Sequence, residues 1–398
     1  MNNQKRFSFI IPTYQSKKLI KNTLQTLNFQ RGYTGEDYEA VVIDDGSDDG
    51  TREYIKGINR NYELKYIYLD RSSESSRSRA RNAGIKAACG EIIIFIDGDM
   101  LVKENYLQET DRCFKVREDI VVIGNRVMLD KEVPHEEVSK DRYYEGPEFK
   151  INTFKKLEMR HIVYSELSYN SSCHIYPWLQ AFSCNMAIPK RLMEEYGYFD
   201  EQFKGWGLED VELGYRLYKN GAKIIINNRT EAFHQYHWNM DRAKNNDGKN
   251  NDIERNTLYF IEKHPEALNV SKPVALKLFK GIALFRLNAV SGIRKRVRID
   301  YREKGSLKEI KLQILSLCKN KHMNIVINDF VEDDNLDLWI QLLGEQKSIP
   351  RYFPASKKRE LRSTMNAIVS LNIILGFIIL NLKKAGLYLY FRAVKQLY

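Results

Sequence analysis

With 398 residues, 43% of them hydrophobic, the chain is long enough for one large or two moderate cores and too apolar to be disordered. Its net charge of +11 is uneven: lysine and arginine crowd the sequence from Lys263 onward, as in GIRKRVRIDYREK and PASKKRELR. That half faces an anionic partner, a membrane surface or nucleic acid, unless it is simply a solvated basic surface. The five cysteines are odd in number and lack a C-x-x-C pair, which signals neither a disulfide framework nor a zinc site and fits a reducing, cytoplasmic compartment. The apolar patch near the N-terminus is broken by Pro12 and is too short for a signal peptide.

In chain order, FSFIIPTY predicts a buried strand that stops at Pro12, and the run from Ser16 predicts an amphipathic helix capped by that serine. YEAVVIDDGS predicts a second strand ending in Asp44 and Asp45, followed by a turn and the helix DDGTREYIKGI. LKYIYLD is a third strand, and SSRSRARNAGIKAAC a helix with serine and arginine in its first turns. EIIIFIDGDM then carries four β-formers, Ile92 to Phe95, plus Ile96 straight into Asp97 and Asp99. An uninterrupted apolar run of this kind is a strand buried on both faces, so the two acids stand at its carboxyl end. Close carboxylates repel and resist desolvation, and a hard divalent cation answers both problems; a plain Asp-Gly turn is the other reading. Strand and helix alternate four times in this first stretch, which predicts a mostly parallel, helix-covered α/β sheet.

Three strand ends therefore meet on one sheet edge: Pro12-Thr13-Tyr14, Asp44-Asp45 and Asp97-Gly98-Asp99. Open α/β sheets bind ligands there. Together these residues describe a nucleotide site, with the Tyr14 ring for a base, Asp45 accepting from a base imide or ribose hydroxyl, and the Asp-x-Asp pair holding a metal on the diphosphate. Arg77, Arg79 and Arg81 are placed to neutralise phosphate oxygens or to form a solvated helix face. Beyond Leu101, DIVVIGNRVML predicts a strand, and the polar run from Asp130 to about Leu157 a surface segment. FSCNMAIPKRLMEEYGYFDEQF and GWGLEDVELGYRLYKNGAKIIINN predict strand, helix, loop, helix, strand. The first domain ends near Pro265, and residues 266–398 form a basic, mainly helical region.

FSFIIPTY, VVIDDGSDDGT, SRARNAGI and IIIFIDGDM, in this order, resemble the nucleotide-sugar half of family-2 glycosyltransferases with the GT-A fold, over about residues 1–265. FKGWGLEDVELGYRLYKNGAK resembles the acceptor-side motif of chondroitin-polymerase-like and β-galactosyltransferase-like enzymes, and AFHQYH the metal-binding histidine segment that follows it. The resemblance implies a metal-dependent transfer, with Mn2+ or Mg2+, from a UDP-sugar to a glycan, lipid-linked or peptide acceptor. It puts the catalytic base on Asp210, with Glu209 orienting hydroxyls, and the metal on Asp99 and His234, with His237 a second candidate. Pro12, Thr13, Tyr14, Asp45, Arg81, Asp97 and Trp206 would hold the nucleotide sugar, and Asn185 would either line the donor-sugar pocket or face the core. Retaining relatives among the mucin-type transferases carry an amide where Asp210 stands, so an aspartate there implies inversion. The chemistry agrees: inversion needs a base on the acceptor side and neutralisation of a leaving diphosphate on the other. Gly205 and Gly207 allow a tight loop that packs the Trp206 indole against a sugar face.

Two rival classes have less behind them. A nucleotidyltransferase would want a Gly-rich phosphate loop with a lysine after the first strand, which is absent, and no nucleic-acid-binding module is present, so no nucleic-acid partner is expected. Met365 to Leu382 is uncharged but carries Asn366, Ser370, Asn372 and Asn381, and it has basic residues on both flanks. Symmetric basic flanks favour a helix lying in the cytoplasmic membrane interface over a simple span; a buried helix of a soluble domain is the alternative. The expected enzyme is cytoplasmic and peripheral on the inner face of the cell membrane.

Overall fold

The structure, a computed structural model, describes residues 4–140, 142–150, 156, 158, 160, 164, 169–174, 176–237, 247–268, 270–279, 295–319, 323–332, 334–343 and 350–354. The chain divides into two compact units, one of Met1–Phe149 with Tyr176–Leu276, the other of Lys150–Ile175 with Lys277–Tyr398.

In the first unit β1 (Lys5–Thr13), β2 (Gly35–Asp44), β3 (Tyr62–Tyr68) and β4 (Gly90–Ile96) run parallel, interleaved with α1 (Lys17–Leu27), α2 (Thr51–Gly57) and α3 (Arg77–Ala87). The predicted alternation is thus observed. Phe9, Ile10 and Ile11, Val41 to Ile43, and Ile93 to Ile96 are fully buried, as strands covered on both faces require. Gly84 makes the covering close: a Cβ there would lie 2.5 Å from Ile43 and 2.8 Å from Ile10, so only glycine lets α3 settle onto β1 and β2.

The sheet continues through β5 (Met100–Val102), β6 (Ile120–Met128), β7 (Asn185–Pro189) and β8 (Lys223–His234) in the order β3-β2-β1-β4-β7-β6-β8-β5. β7 is antiparallel to β4 and β6, and β5 to β8. Helices α4 (Tyr106–Val116), α5 (Lys190–Tyr196), α6 (Glu209–Lys219) and α7 (Asp247–Lys263) complete the unit. Neither β5 nor α4 is predicted from the sequence: a three-residue strand has no period of its own, and pairing with β8 creates it.

One local expectation is corrected, and one open alternative is settled. Ser16 occupies the N-cap position of α1 but does not cap it, because its hydroxyl donates back to the Tyr14 carbonyl at 2.8 Å. Asp49, from the loop before α2, accepts from the Lys17 N–H at 2.9 Å in its place. Of the two readings of Asn185, the core-facing one is observed. The side chain is buried, its amide donates to the Asn125 and Thr230 carbonyls, and its oxygen accepts from the Tyr106 hydroxyl at 2.6 Å, so it ties β7 to its neighbours with no group to spare.

In the second unit the described residues form a parallel sheet of β9 (Lys295–Tyr301), β10 (Met323–Asp329) and β11 (Arg351–Pro354), with α8 (Leu307–Cys318) and α9 (Leu336–Leu342) in the crossovers. Among the described residues the C-terminal region thus includes a strand component that the expected mainly helical region did not anticipate. The charges of KRVRIDY alternate with Val297 and Ile299, the pattern of a strand with one wet face, which the basic composition masked. Among the described residues no helix is long and apolar enough to cross a membrane, and Met365 to Leu382 lies outside them.

Candidate active site

Parallel pairing of β1, β2 and β4 brings Thr13, Asp45 and Asp97 to one sheet edge. Asp44 and Asp45 then part company. Asp44 is fully buried, accepting from the Tyr66 hydroxyl at 2.7 Å and the Ser47 N–H at 2.8 Å, and is structural. Asp45 lies at the rim, where one oxygen pairs with Arg71. The other, Oδ1, is buried without a hydrogen-bond partner, as is the hydroxyl of neighbouring Thr13. Buried orphan acceptors are rare and costly, so two side by side mark where a ligand's donors fit. The exposed Tyr14 ring lies under the Arg71 guanidinium, 4.1 Å from its ring centre. Arg71 follows β3 in a stretch without a motif, and nothing in the sequence singles it out.

β5 builds the next group. Its antiparallel register sets Met100 opposite His234, and the Gln235 N–H donates to the Asp99 carbonyl at 2.9 Å. Asp99 thus meets a residue far along the chain, with His234 Nε2 3.3 Å and His237 Nε2 3.6 Å from its Oδ2. Ligand atoms of Asp99, His234 and His237 all lie within 4.8 Å of one another. Burial lowers the His234 pKa, which favours the neutral imidazole a metal needs. Asp99 Oδ1 and His234 Nδ1 are buried without hydrogen-bond partners. One carboxylate oxygen and two imidazole nitrogens, partly unsatisfied, fit a divalent transition metal such as Mn2+. His237 joins His234 in the cluster, a little farther from Asp99 and more exposed. Asp97, by contrast, turns to Arg81, and Asp97 is not among the ligands that converge on the cluster.

Arg81, on α3, is buried and makes two ion pairs, with Glu209 at 3.0 Å and Asp97 at 3.3 Å. A buried guanidinium needs such partners, and here it fixes two acids from distant elements. Arg77 and Arg79 do not join this pairing; they donate to the Gly205 and Asp70 carbonyls, each at 3.4 Å.

Glu209 and Asp210 open α6, after Leu208 in a left-handed conformation at φ 74°. Asp210 accepts from the Ser183 N–H at 3.0 Å and from its hydroxyl at 3.2 Å. The helix terminus, Arg81 and these donors favour its charged form. Burial and the neighbouring Glu209 charge outweigh them, and the pKa is pushed up to about 6. A carboxylate poised there accepts a proton near neutral pH better than an ordinary aspartate. Trp206 stands just before, half exposed, on a loop bent at Gly205 (φ +73°) and Gly207 (φ +94°). A Cβ on Gly205 would lie 2.2 Å from Asp252, whose carboxylate accepts the Trp206 N–H at 3.0 Å, so the loop is locked onto α7.

Fold and site together describe an α/β unit whose sheet edge gathers unsatisfied buried acceptors, a carboxylate–histidine cluster and a separate carboxylate of raised pKa. The family described as Glycosyl transferase family 2 matches residues 8–174, and that described as N-terminal domain of galactosyltransferase matches residues 166–238. Through residues 8–238 the chain is thus similar to family-2 glycosyltransferases and to galactosyltransferases. It is similar to validoxylamine A glucosyltransferase of Streptomyces hygroscopicus subsp. limoneus, 29% identical over 66% of this chain and 57% of that one. It is also similar to chondroitin synthase of Escherichia coli, 28% identical over 57% of this chain and 34% of that one. The chain thus spans little more than half the length of the first relative and about a third of the second. Among solved structures, S. aureus TarS 1-349 resembles it with a TM-score of 0.45 at 18% identity over 70% of each chain.

Proposed function

We propose that the chain is an inverting, metal-dependent glycosyltransferase that moves a sugar from a UDP-sugar to a hydroxyl of a glycan, lipid-linked or peptide acceptor. The observation that carries this reading is the raised Asp210 carboxyl together with the Asp99–His234–His237 cluster, both in the unit that bears the two glycosyltransferase matches. In this reading Thr13, Tyr14 and Asp45 receive the nucleoside beside Pro12, and Asp97 and Arg81 border the donor sugar. Asp99, His234 and His237 would hold Mn2+ or Mg2+, which supplies positive charge to the leaving diphosphate. Asp210 takes the proton of the attacking hydroxyl, and attack from its face inverts the anomeric centre. Glu209, held by Arg81, orients hydroxyls, and Trp206 offers its indole to a sugar face. The C-terminal region is read as a peripheral attachment to an anionic membrane surface on the cytoplasmic side.

The test is hydrolysis of a panel of UDP-sugars with and without Mn2+, which needs no acceptor. Metal-dependent release of UDP from one of them supports the reading. No hydrolysis, together with no metal-linked UDP binding in calorimetry, overturns it.

A further inference from the structure

The rim around Trp206 carries more positive than negative charge. Lys204 and Arg255 have carboxylate partners, Glu74 and Asp252, each at 2.8 Å. Two other cations have none among the described residues. Lys249 reaches over the indole, its Nζ 5.7 Å from the ring centre, and Arg77 touches only the Gly205 carbonyl. Arg77 lies one helical turn before Arg81, so both stand on the same face of α3, and Arg81 grips Glu209 beside the proposed base. The two unpaired cations thus flank an aromatic platform that leads to Asp210. An exposed indole stacks on the apolar face of a sugar, and a free ammonium and guanidinium beside it select for a negative group on that sugar or its neighbour.

We infer that the acceptor is anionic: a glycan or glycan-like polymer bearing a carboxylate or a phosphodiester next to the unit that stacks on Trp206. This rests on the glycosyl-transfer reading and adds the acceptor's chemical class to it. Carboxylate and phosphodiester share the recognition chemistry, since either presents oxygens to the Arg77 fork, and the two sources separate by experiment.

The probes are trigalacturonic acid against its methyl ester, and a glycerol-phosphate trimer against its methyl phosphotriester. Each pair differs by the charge and by one small methyl per acidic group, and the salt dependence of binding isolates the charge. Binding is read by saturation-transfer NMR and tryptophan quenching with UDP and Mn2+ present. The expected result is that one anionic probe binds at least tenfold more tightly than its neutral partner. That preference falls by about fivefold for each of Arg77→Ala and Lys249→Ala, as for loss of one partly exposed ion pair, and shrinks in high salt. The probe that binds names the source. Equal binding of charged and neutral partners, or no binding of either anion, overturns the inference while UDP binding still stands. Parallel loss of UDP affinity in the two variants also overturns it, because the cations would then serve the donor. Failure of the unaltered protein to bind UDP with Mn2+ removes the glycosyl-transfer reading as well.

Discussion

Asp99 offers an oxygen at which two imidazole nitrogens converge, and no other carboxylate joins the described cluster. Asp99→Ala is therefore expected to abolish Mn2+-dependent UDP binding, measured by titration calorimetry; an unchanged metal-linked affinity would refute the assignment. Asp210→Asn should act on the other half of the chemistry, keeping UDP affinity while turnover falls by about 10² to 10⁴. Wild-type activity should also fall as pH drops below about 6, where the Asp210 carboxyl takes up its proton. The same shift has a stability consequence. A folded-state pKa raised above the unfolded one contributes stability at low pH that is lost as pH rises through about 6. Asp210→Asn is thus expected to melt higher than wild type at pH 7, by ~1 to 2 kcal/mol after allowance for partial exposure, with the gain vanishing below pH ~4. A lower melting point at pH 7 would mean that the Ser183 bonds outweigh the cost of burial.

At the scale of elements, the catalytic end of α6 is held by a buried knot one turn further on. Glu212 is fully buried and accepts from His264 and Lys263 at 2.9 Å and from Arg216, joining α6 to the end of α7. Burial pushes its pKa up, but the bonds from His264, Arg216 and Lys263 win and hold it at about 2. Glu212→Ala leaves three donors facing one another and is expected to cost roughly 3 to 5 kcal/mol at pH 7 in chemical denaturation. The pair's contribution is present above the ordinary carboxylate range and lost as pH falls toward about 2, so the deficit should narrow in acid. A deficit of equal size at every pH would assign it to packing. The legibility of the sequence follows the same divide between local and distant contacts. β1 to β4 are readable because Ile92 to Ile96 and Val41 to Ile43 carry their burial in their own composition, and three strand ends then predict one edge. Contacts between distant residues are not readable. Arg71 meets Asp45 through loop geometry that no period or motif announces. Resemblance pointed to His234 because a motif has fixed spacing, whereas Ser183 under Asp210 has no motif at all.

For the whole molecule, charge and activity are unevenly distributed along the chain. The family-2 match ends at residue 174 and the galactosyltransferase match at residue 238, while the densest lysine and arginine runs lie beyond Lys263. A surface of that kind adds about 1 kcal/mol of attraction per basic residue near an anionic leaflet and loses it within a Debye length, so it works best beside a segment that can enter the interface. Met365 to Leu382 is the segment we propose for this, close to the ~20 residues needed to span but interrupted by Asn366, Ser370, Asn372 and Asn381. Lys357, Lys358, Arg359 and Arg362 precede it and Lys383 and Lys384 follow, so neither flank is favoured for translocation and a position along the surface satisfies both. Full-length protein is therefore expected to sediment with anionic liposomes at low salt and to be released at high salt, whereas a truncation ending before Ser363 stays in the supernatant. UDP binding should survive in the truncated chain, because every residue proposed to touch the nucleotide lies before Pro265. If both forms ignore anionic liposomes at low salt, the attachment is wrong and the apolar segment belongs to a folded core.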